Sequence, residues 1–283
     1  MNDEGSKIIK IWNKVPLILR AIILGFVIST IGVMSWSLLA TLIPVPWSFI
    51  LMIGVLWVFI KYFSGSWRTE RTGAFRKENF RLTGLSSKVW LLSIIAAIMI
   101  VLIEQSGLVV TFRLIDFPAD RFSEEYSFLV NVPLWAAWLV IVMISAVAGI
   151  CEEIGFRGYM QVPLEKRYGP LAAISVVSVI FVLAHLHQAW SGPIIIQIFF
   201  ISVLFGSIAY YSNSLIPGII AHFIMDICNF SFWWSKLGHQ FDKIPIGETG
   251  VDNHFIIWTG TLLLSIGIFI YVLSGLKKLR TNI

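Results

Sequence analysis

Eight long runs of apolar residues, separated by short polar or turn-forming segments, dominate the hydrophobic pattern of the chain. A helix that crosses a bilayer needs about 20 mostly apolar residues, because its backbone must satisfy its own hydrogen bonds in hydrocarbon. The runs therefore predict about eight membrane-spanning helices, of which the second, fifth and sixth are the shortest. They extend approximately over Leu17–Leu42, Pro46–Phe63, Val89–Val110, Pro133–Met160, Leu171–His187, Ile194–Tyr211, Leu215–Trp234 and Phe255–Ser274.

The composition fits a protein whose main solvent is the lipid bilayer. Of its 283 residues, 57% are hydrophobic and only 13% are charged, whereas globular proteins have about 25% charged residues. The sequence contains no soluble domain, internal repeat or low-complexity tract. We therefore predict an all-α polytopic membrane protein in which residues 1–283 form a single integral membrane domain. The first apolar run exceeds the ~7 to 15 residues of a signal-peptide core, so we expect it to remain as a span.

The distribution of cations predicts how the protein is oriented in the membrane. Lysine and arginine accumulate in short cytoplasmic loops, and eight spans place 17 of the 21 cations on the side of both termini. We therefore expect both termini to be cytoplasmic. The net charge of +5 is explained by this topology, and no nucleic-acid partner is expected. The 17 cations are Lys7, Lys10, Lys14, Arg20, Lys61, Arg68, Arg71, Arg76, Lys77, Arg81, Lys88, Arg157, Lys166, Arg167, Lys277, Lys278 and Arg280, and the other side holds Arg113, Arg121, Lys236 and Lys243.

Few ionisable residues fall inside the predicted spans, and each is a candidate for function because a charged group in hydrocarbon is costly. Glu104, near the outer end of the third span, is expected to be structural or interfacial. The basic segment from Trp67 to Lys88 is expected to be a lipid-facing cytoplasmic segment rather than a substrate dock. The fourth, fifth and seventh spans carry the predicted catalytic set, which is Glu152, Glu153, Arg157, His185, His222 and Asp226.

Helical spacing predicts how these side chains pair. Adjacent residues on an α-helix point about 100° apart, so Glu152 and Glu153 are expected to serve different neighbours. Glu153 and Arg157 lie four residues apart, where they share one helix face and can form a charge-assisted pair. His222 and Asp226 repeat that spacing, so the carboxylate can either orient the imidazole or join it in binding a group between helices.

Two hydrolytic chemistries fit such a cluster. In the first, His185, His222 and a carboxylate bind Zn²⁺, whose bound water becomes hydroxide near neutral pH while the other glutamate carries the proton. In the second, a desolvated glutamate activates water without a metal, and an imidazole or another polar group stabilises the oxyanion. The chain lacks a His-Glu-x-x-His helix, the usual signature of the metal version. Serine and cysteine nucleophiles are weaker candidates, because no Gly-x-Ser-x-Gly turn occurs.

Three short motifs give the chain a resemblance to a known family. They are Glu152-Glu153-x-x-x-Arg157, Phe181-x-x-x-His185 and His222-x-x-x-Asp226, in this order on three predicted spans. Together they resemble the CAAX protease and bacteriocin-processing family of intramembrane endopeptidases, which includes the Abi proteins and the type II CAAX prenyl endopeptidases. The resemblance covers the predicted catalytic core helices, residues 133–234.

The resemblance implies an eight-helix fold with a polar chamber inside the bilayer. In such a chamber Glu152 would activate water, and His185 and His222 would complete the site. Family members include metalloproteases and metal-independent glutamate proteases, so the resemblance leaves Zn²⁺ open, with Glu152, His185 and His222 as candidate ligands. It also implies a membrane-associated peptide or a lipidated protein as substrate, and the bacterial plasma membrane as location.

Two departures from the prenyl-processing branch stand out. That branch has an asparagine four residues after the second-motif histidine and at the end of the third motif, where this chain has Ala189 and Asp226. An ionised aspartate cannot donate a hydrogen bond to an oxyanion, so the asparagine role does not transfer to Asp226 unless it is protonated. These differences favour the broader bacterial-type branch and leave the substrate unidentified.

Two non-enzymatic functions are the alternatives. The polar residues could serve as interhelical clamps in a membrane scaffold or a bacteriocin-immunity protein. A transporter is suggested by charges within the spans and by Pro217-Gly218, a signal of a broken helix, although no inverted repeat is visible.

Overall fold

A computed structural model of the protein describes residues 11–81, 85–116, 127–129, 131–186, 192–234 and 242–280. All regular elements in these ranges are helical. The elements are α1 (Leu17–Leu42), α2 (Trp47–Phe63), α3 (Glu70–Phe80), α4 (Ser87–Leu114), a 3₁₀ turn (Ser127–Leu129), α5 (Leu134–Val147), a π-helix (Ala148–Met160), α6 (Gln161–Tyr168), α7 (Pro170–Ala184), α8 (Gly192–Ser212), α9 (Ile216–Trp234), α10 (Ile246–Thr249) and α11 (Asn253–Arg280).

Five helical stretches are long and apolar enough to cross a membrane. They are α1, α4, the continuous stretch Leu134–Tyr168, α8 and α11. Each of the eight predicted apolar runs contains a helix, but the apolar helices α2, α7 and α9 are shorter. The eight-span count therefore stays a prediction. The predicted end of the fifth run, His187, lies outside the described residues, as do the cations Lys7, Lys10, Arg121 and Lys236.

Two extended helix contacts hold the bundle. Helix α4 packs along α11, and α1 packs along the π-helix. The second contact is close because two glycines meet there. A Cβ atom on Gly155 would lie 2.5 Å from the carbonyl oxygen of Gly25, and a Cβ on Gly25 would lie 2.7 Å from that of Gly155. Small residues at this crossing let the two backbones touch, which fixes the π-helix against α1.

The segment that carries the two glutamates is a π-helix rather than the expected α-helix. Its 13 residues run from Ala148 to Met160, and every residue from Cys151 to Met160 is buried. A π-helix closes its hydrogen bonds between residues i and i+5, so adjacent side chains diverge by less than the ~100° of an α-helix. Extra residues in each turn are typical of helices that must aim side chains into a functional site.

The basic segment between Trp67 and Lys88 differs from its predicted lipid-facing state. It contains α3, and the arginines Arg76 and Arg81 are buried in polar contacts. Arg76 donates to backbone carbonyls at the end of α2 and in the following turn. Arg81 pairs with Glu165 of α6. The lipid-facing interpretation is therefore wrong for these two side chains, since a buried guanidinium requires acceptors that lipid cannot supply.

The C-terminal end of α4 is tied to the start of α11 by Arg113, which is fully buried. Its guanidinium lies 2.7 Å from Asp252, 2.9 Å from Asp242 and 2.9 Å from the hydroxyl of Thr249. The hydrogen bond from Arg113 holds the pKa of Asp252 below its ordinary value. The stabilisation is present at neutral pH and is lost only as the pH falls through that lowered pKa.

Gly155→Ala is expected to lower the free energy of unfolding by about 1–3 kcal/mol, because its methyl group would overlap a backbone oxygen in a tightly packed crossing. Gly267→Ala on α11 is the matched control, since a Cβ there meets no atom within 4 Å. Thermal or denaturant unfolding of the protein purified in detergent measures both. An unchanged unfolding midpoint in Gly155→Ala would contradict the close contact between α1 and the π-helix.

Candidate active site

Three separate helices bring the predicted catalytic side chains together. The π-helix carries Glu152 and Glu153, α7 ends immediately before His185, and α9 carries His222. Glu152 Oε2 lies 3.7 Å from His185 Nε2, and Glu153 Oε1 lies 3.2 Å from His222 Nδ1. The prediction that the adjacent glutamates serve different neighbours is confirmed.

His185 is oriented by the helix that precedes it. Helix α7 begins at Pro170, after Gly169 with a φ of 83°, and its last turn ends at Ala184. The side-chain Nδ1 of His185 lies 2.8 Å from the carbonyl oxygen of Phe181. A carbonyl oxygen only accepts, so Nδ1 carries the proton, and in the neutral ring Nε2 is an acceptor. The Phe181 ring also packs against the imidazole, with centroids 4.2 Å apart. The backbone of α7 therefore turns Nε2 towards Glu152.

Glu152 is the less engaged of the two adjacent carboxylates. Its Oε2 atom is buried and has no hydrogen-bond partner among the described residues. The 3.7 Å to His185 Nε2 exceeds the ~3.2 Å of a direct hydrogen bond. A water molecule or an ion bound beside the pair could contact both atoms. The side chains of Glu152 and His185 are 11% and 17% exposed, so the pair lies at the edge of the buried cluster.

Glu153 is fully buried, and only one of its two carboxylate oxygens has hydrogen-bond partners among the described residues. Its Oε1 lies 3.0 Å from Arg157 Nη1 and 3.2 Å from His222 Nδ1. The predicted pair between Glu153 and Arg157 is thereby confirmed. The other oxygen, Oε2, lies against Gly218 of α9, where an added Cβ would be only 2.8 Å away. Gly218 is thus part of the site. In the sequence, the Pro217-Gly218 pair suggested only a broken helix.

Arg157 lies inside the bundle rather than in a loop. Its side chain is 0% exposed, its guanidinium lies 4.4 Å from the ring centroid of Phe181 and 5.2 Å from that of Phe205, and Nη2 donates to Ser202 Oγ at 3.0 Å. This burial agrees with its place inside the fourth predicted span. Ser202 and Phe205 come from α8, which carries no motif, so no sequence pattern indicated either residue.

The third motif places His222 next to Asp226. Phe205 stacks on His222 with ring centroids 4.9 Å apart and an interplanar angle of 21°. Asp226 Oδ2 lies 3.7 Å from His222 Nε2, so the two are neighbours without a direct hydrogen bond. Glu104 of α4 is buried, and its carboxyl group is close enough to Asp226 to interact with it electrostatically. Glu104 is therefore enclosed within the bundle.

The predicted zinc ligands fit a metal ion only in part. Glu152 and His185 present an oxygen and a nitrogen 3.7 Å apart, a separation that two ligands of one zinc ion can have. His222 instead turns its ring nitrogens towards Glu153 and Asp226. Across the described ranges, no three His, Cys, Asp or Glu side chains are grouped so that they could hold a metal ion. The zinc site stays a prediction.

Two apolar cavities lie along α7, the helix that ends immediately before His185. One lies between α1, α6 and α7, and the other lies between α7 and α8. Neither is lined by a residue of the predicted catalytic set, so the expected polar chamber stays a prediction. Ala189, the departure from the prenyl-processing branch, lies outside the described residues.

Arg157→Met is expected to lower the free energy of unfolding by about 3–5 kcal/mol, because it leaves Glu153 charged, buried and without its cation. Adding Glu153→Gln should restore most of that loss, since both buried charges are then absent. Lys166→Met is the control, because its exposed ion pair with Glu78 is worth only ~0–1 kcal/mol. Unfolding of the three variants measures these differences. Equal destabilisation in the single and double variants would contradict the coupling.

The motifs can also be compared with known proteins. Residues 133–228 match the family model described as Rce1-like: Type II CAAX prenyl endopeptidase Rce1-like. The matched range contains every residue of the three motifs. No curated protein and no solved structure gives a significant match to the chain. The preference for the broader bacterial-type branch stays a prediction. The part of this protein that holds the converging glutamates and histidines is therefore similar to the Rce1-like type II CAAX prenyl endopeptidases, which confirms the family resemblance carried by its motifs.

Proposed function

We propose that this protein is an intramembrane endopeptidase that hydrolyses a peptide bond in a membrane-associated peptide or protein. The observation that carries the proposal is the pair of Glu152 and His185, in which an unpartnered carboxylate oxygen faces an imidazole nitrogen 3.7 Å away. The similarity of residues 133–228 to an endopeptidase family supports the same reaction.

The pair can position one water molecule for attack. In the proposed mechanism, the water donates one hydrogen bond to Glu152 Oε2 and the other to His185 Nε2, which accepts because Nδ1 is committed to the carbonyl of Phe181. A lone pair of the water oxygen is then free to face the substrate carbonyl. Glu152 takes a proton as the water oxygen attacks the carbonyl carbon. The same carboxyl group returns that proton to the leaving nitrogen as the C–N bond breaks.

The second glutamate has a different role. Glu153 is held by Arg157 and His222 and cannot approach a substrate without breaking both contacts. We assign it to positioning, since it fixes the π-helix that presents Glu152. His222, which is fixed by Glu153 on one edge and stacked on Phe205, completes the set.

The apolar cavity between α7 and α8 suggests how the substrate is held. It is lined entirely by apolar side chains, and α7 continues from it to His185. A hydrophobic side chain of the substrate, or a lipid attached to it, would gain about 0.8 kcal/mol for each methylene group buried there. The lining residues are Val179, Val182, Leu183, Ile195, Ile196, Phe199 and Phe200.

The membrane arrangement is part of the proposal. Helices α2, α7 and α9 would complete eight spans, since a bilayer can thin locally around a short apolar helix. Both termini would then be cytoplasmic, as the bias of the cations towards one side favours. The bacterial plasma membrane is the location that the family resemblance favours.

Glu152→Gln is expected to reduce kcat by at least about 100-fold, because an amide cannot accept the proton of the attacking water. Glu78→Gln is the matched control, since Glu78 is exposed and far along the chain from the motifs. Purified protein in proteoliposomes is incubated with peptides that carry or lack an isoprenylated cysteine, and cleavage is followed by mass spectrometry. Full activity in a folded Glu152→Gln variant would contradict the proposal and favour a non-catalytic scaffold.

The glutamate and zinc mechanisms differ in their response to a chelator. We expect turnover to persist after dialysis against a chelator, because the structure holds Glu152 and His185 as a pair without a third grouped ligand among the described residues. Elemental analysis of the same samples gives the zinc content per chain. Loss of turnover that Zn²⁺ alone restores would overturn the metal-independent mechanism.

A further inference from the structure

A file of buried polar side chains leads from the candidate site to one end of the bundle. Glu153, Arg157, Gln161 and Glu165 follow one another at intervals of four residues through the π-helix and α6. The first three are 0% exposed, and the side chain of Glu165 is 7% exposed. Glu165 pairs with Arg81, which directly follows α3. The next residue, Lys166, is exposed, so the file reaches the surface at the end of the bundle where α3 lies.

Helix α8 lines the same file in matching register. Arg157 Nη2 donates to Ser202 Oγ at 3.0 Å, and Gln161 Nε2 donates to the carbonyl oxygen of Gly206 at 2.9 Å. Ser202 and Gly206 lie four residues apart, as Arg157 and Gln161 do. Gln161 Nε2 also donates to Glu165 Oε1 at 2.7 Å. The file is therefore enclosed by two helices and continues from the site to the ion pair of Glu165.

Several polar atoms along the file have no protein partner among the described residues. They include donors and acceptors on neighbouring positions, namely Glu153 Oε2, Arg157 Nε, Gln161 Oε1 and Arg81 Nη1. Buried polar groups in proteins are almost always hydrogen-bonded, and ordered water satisfies those that the chain leaves over. A purely structural clamp would explain the bonds from Gln161 to Gly206 and Glu165. It would not explain why Arg157 Nε and Gln161 Oε1 are buried without a hydrogen-bond partner among the described residues.

We propose that this file is the route by which water enters the site from the α3 end of the bundle. The inference rests on the proposed function, because each peptide bond hydrolysed consumes one water molecule that must cross an otherwise apolar interior. Arg157 Nε is a donor, and Gln161 Oε1, four residues further along the chain, is an acceptor. A water molecule can therefore move along the file without losing its hydrogen bonds.

Thiol labelling tests the route without any need for turnover. In a background with Cys151→Ala, Cys228→Ala and Glu152→Gln, the near-isosteric change Ser202→Cys places a thiol at the middle of the file. Ser265→Cys on α11 is the matched control, because both serines are buried, at 1% and 3% exposure. Lys166→Cys is the exposed marker for the α3 end, since that side chain is 52% exposed.

The probe is 2-sulfonatoethyl methanethiosulfonate, a small water-soluble reagent whose fixed negative charge keeps it from crossing the bilayer, added to one side of sealed proteoliposomes. A thiol reacts as its thiolate and therefore only where water reaches it, so Ser202→Cys should label at least about tenfold faster than Ser265→Cys. Ser202→Cys should be labelled by reagent added on the same side of the membrane as the reagent that labels Lys166→Cys. Labelling of Ser202→Cys as slow as that of the control, or labelling from the opposite side alone, would overturn the route.

A second substitution tests whether Gln161 belongs to the route. Gln161→Met keeps the length of the side chain but removes its polar atoms, and it should slow labelling of Ser202→Cys by about tenfold, whereas Gln161→Glu should not. With Glu152 restored, Gln161→Met should lower kcat several-fold and leave KM unchanged. Unchanged labelling in Gln161→Met would contradict the route. If Ser202→Cys does not fold, Gln161→Cys replaces it as the labelled position.

The two proposals fail in different ways. Labelling of Ser202→Cys with no peptide cleavage by the native protein would leave the water route in place and remove the endopeptidase. Cleavage by the native protein without labelling at Ser202→Cys or Gln161→Cys would leave the endopeptidase and remove this route.

Discussion

The buried ion pair between Glu153 and Arg157 is the interaction on which the arrangement of the site depends, because two charges enclosed in an apolar bundle must be satisfied together. The same pair reaches two other helices, since Glu153 contacts His222 of α9 and Arg157 contacts Ser202 of α8. Once Glu153 is held in this way, the direction of its neighbour Glu152 follows from the winding of the π-helix. Glu152 is turned to His185 at the end of α7. One adjacent pair of glutamates thus supplies a fixed anchor and an unengaged carboxylate.

Glycines make room for these enclosed polar groups. Gly218 lies against the free oxygen of Glu153, Gly206 lies against the amide of Gln161, and Gly155 lets the π-helix touch α1 at Gly25. In each case a side chain on the neighbouring helix would take the space that a polar group or a backbone now occupies. A membrane helix pair gains little from burying more hydrocarbon, so close backbone contact through small residues is an effective way to hold it. The buried polar groups and the close packing of the bundle therefore both depend on glycines.

Hydrolysis inside a membrane requires a base that is free to react and a supply of water, the nucleophile, through an apolar medium. Glu152 and His185 offer two acceptors to one water molecule, and the file from Glu153 to Glu165 offers hydrogen-bonding groups towards the α3 end. The proposed division of labour between a reactive and an anchoring carboxylate resembles the way other acid–base sites separate two similar groups by their surroundings. The apolar cavity between α7 and α8 is lined by residues of the last turns of α7 before His185, and its surface is suited to hydrocarbon.

The sequence alone located the helices and the ionisable residues that the tertiary structure brings together, because apolar runs and rare ionisable positions inside them are local signals that need no knowledge of packing. It located eight helical runs, the pairing of Glu153 with Arg157, and the separate neighbours of Glu152 and Glu153. It assigned a lipid-facing state to the segment in which Arg76 and Arg81 are buried. No local pattern pointed to Ser202, Phe205 or the role of Gly218. Those positions acquire meaning only when α8 and α9 pack against the π-helix, since contact between residues far apart along the chain is decided by tertiary packing and not by local pattern.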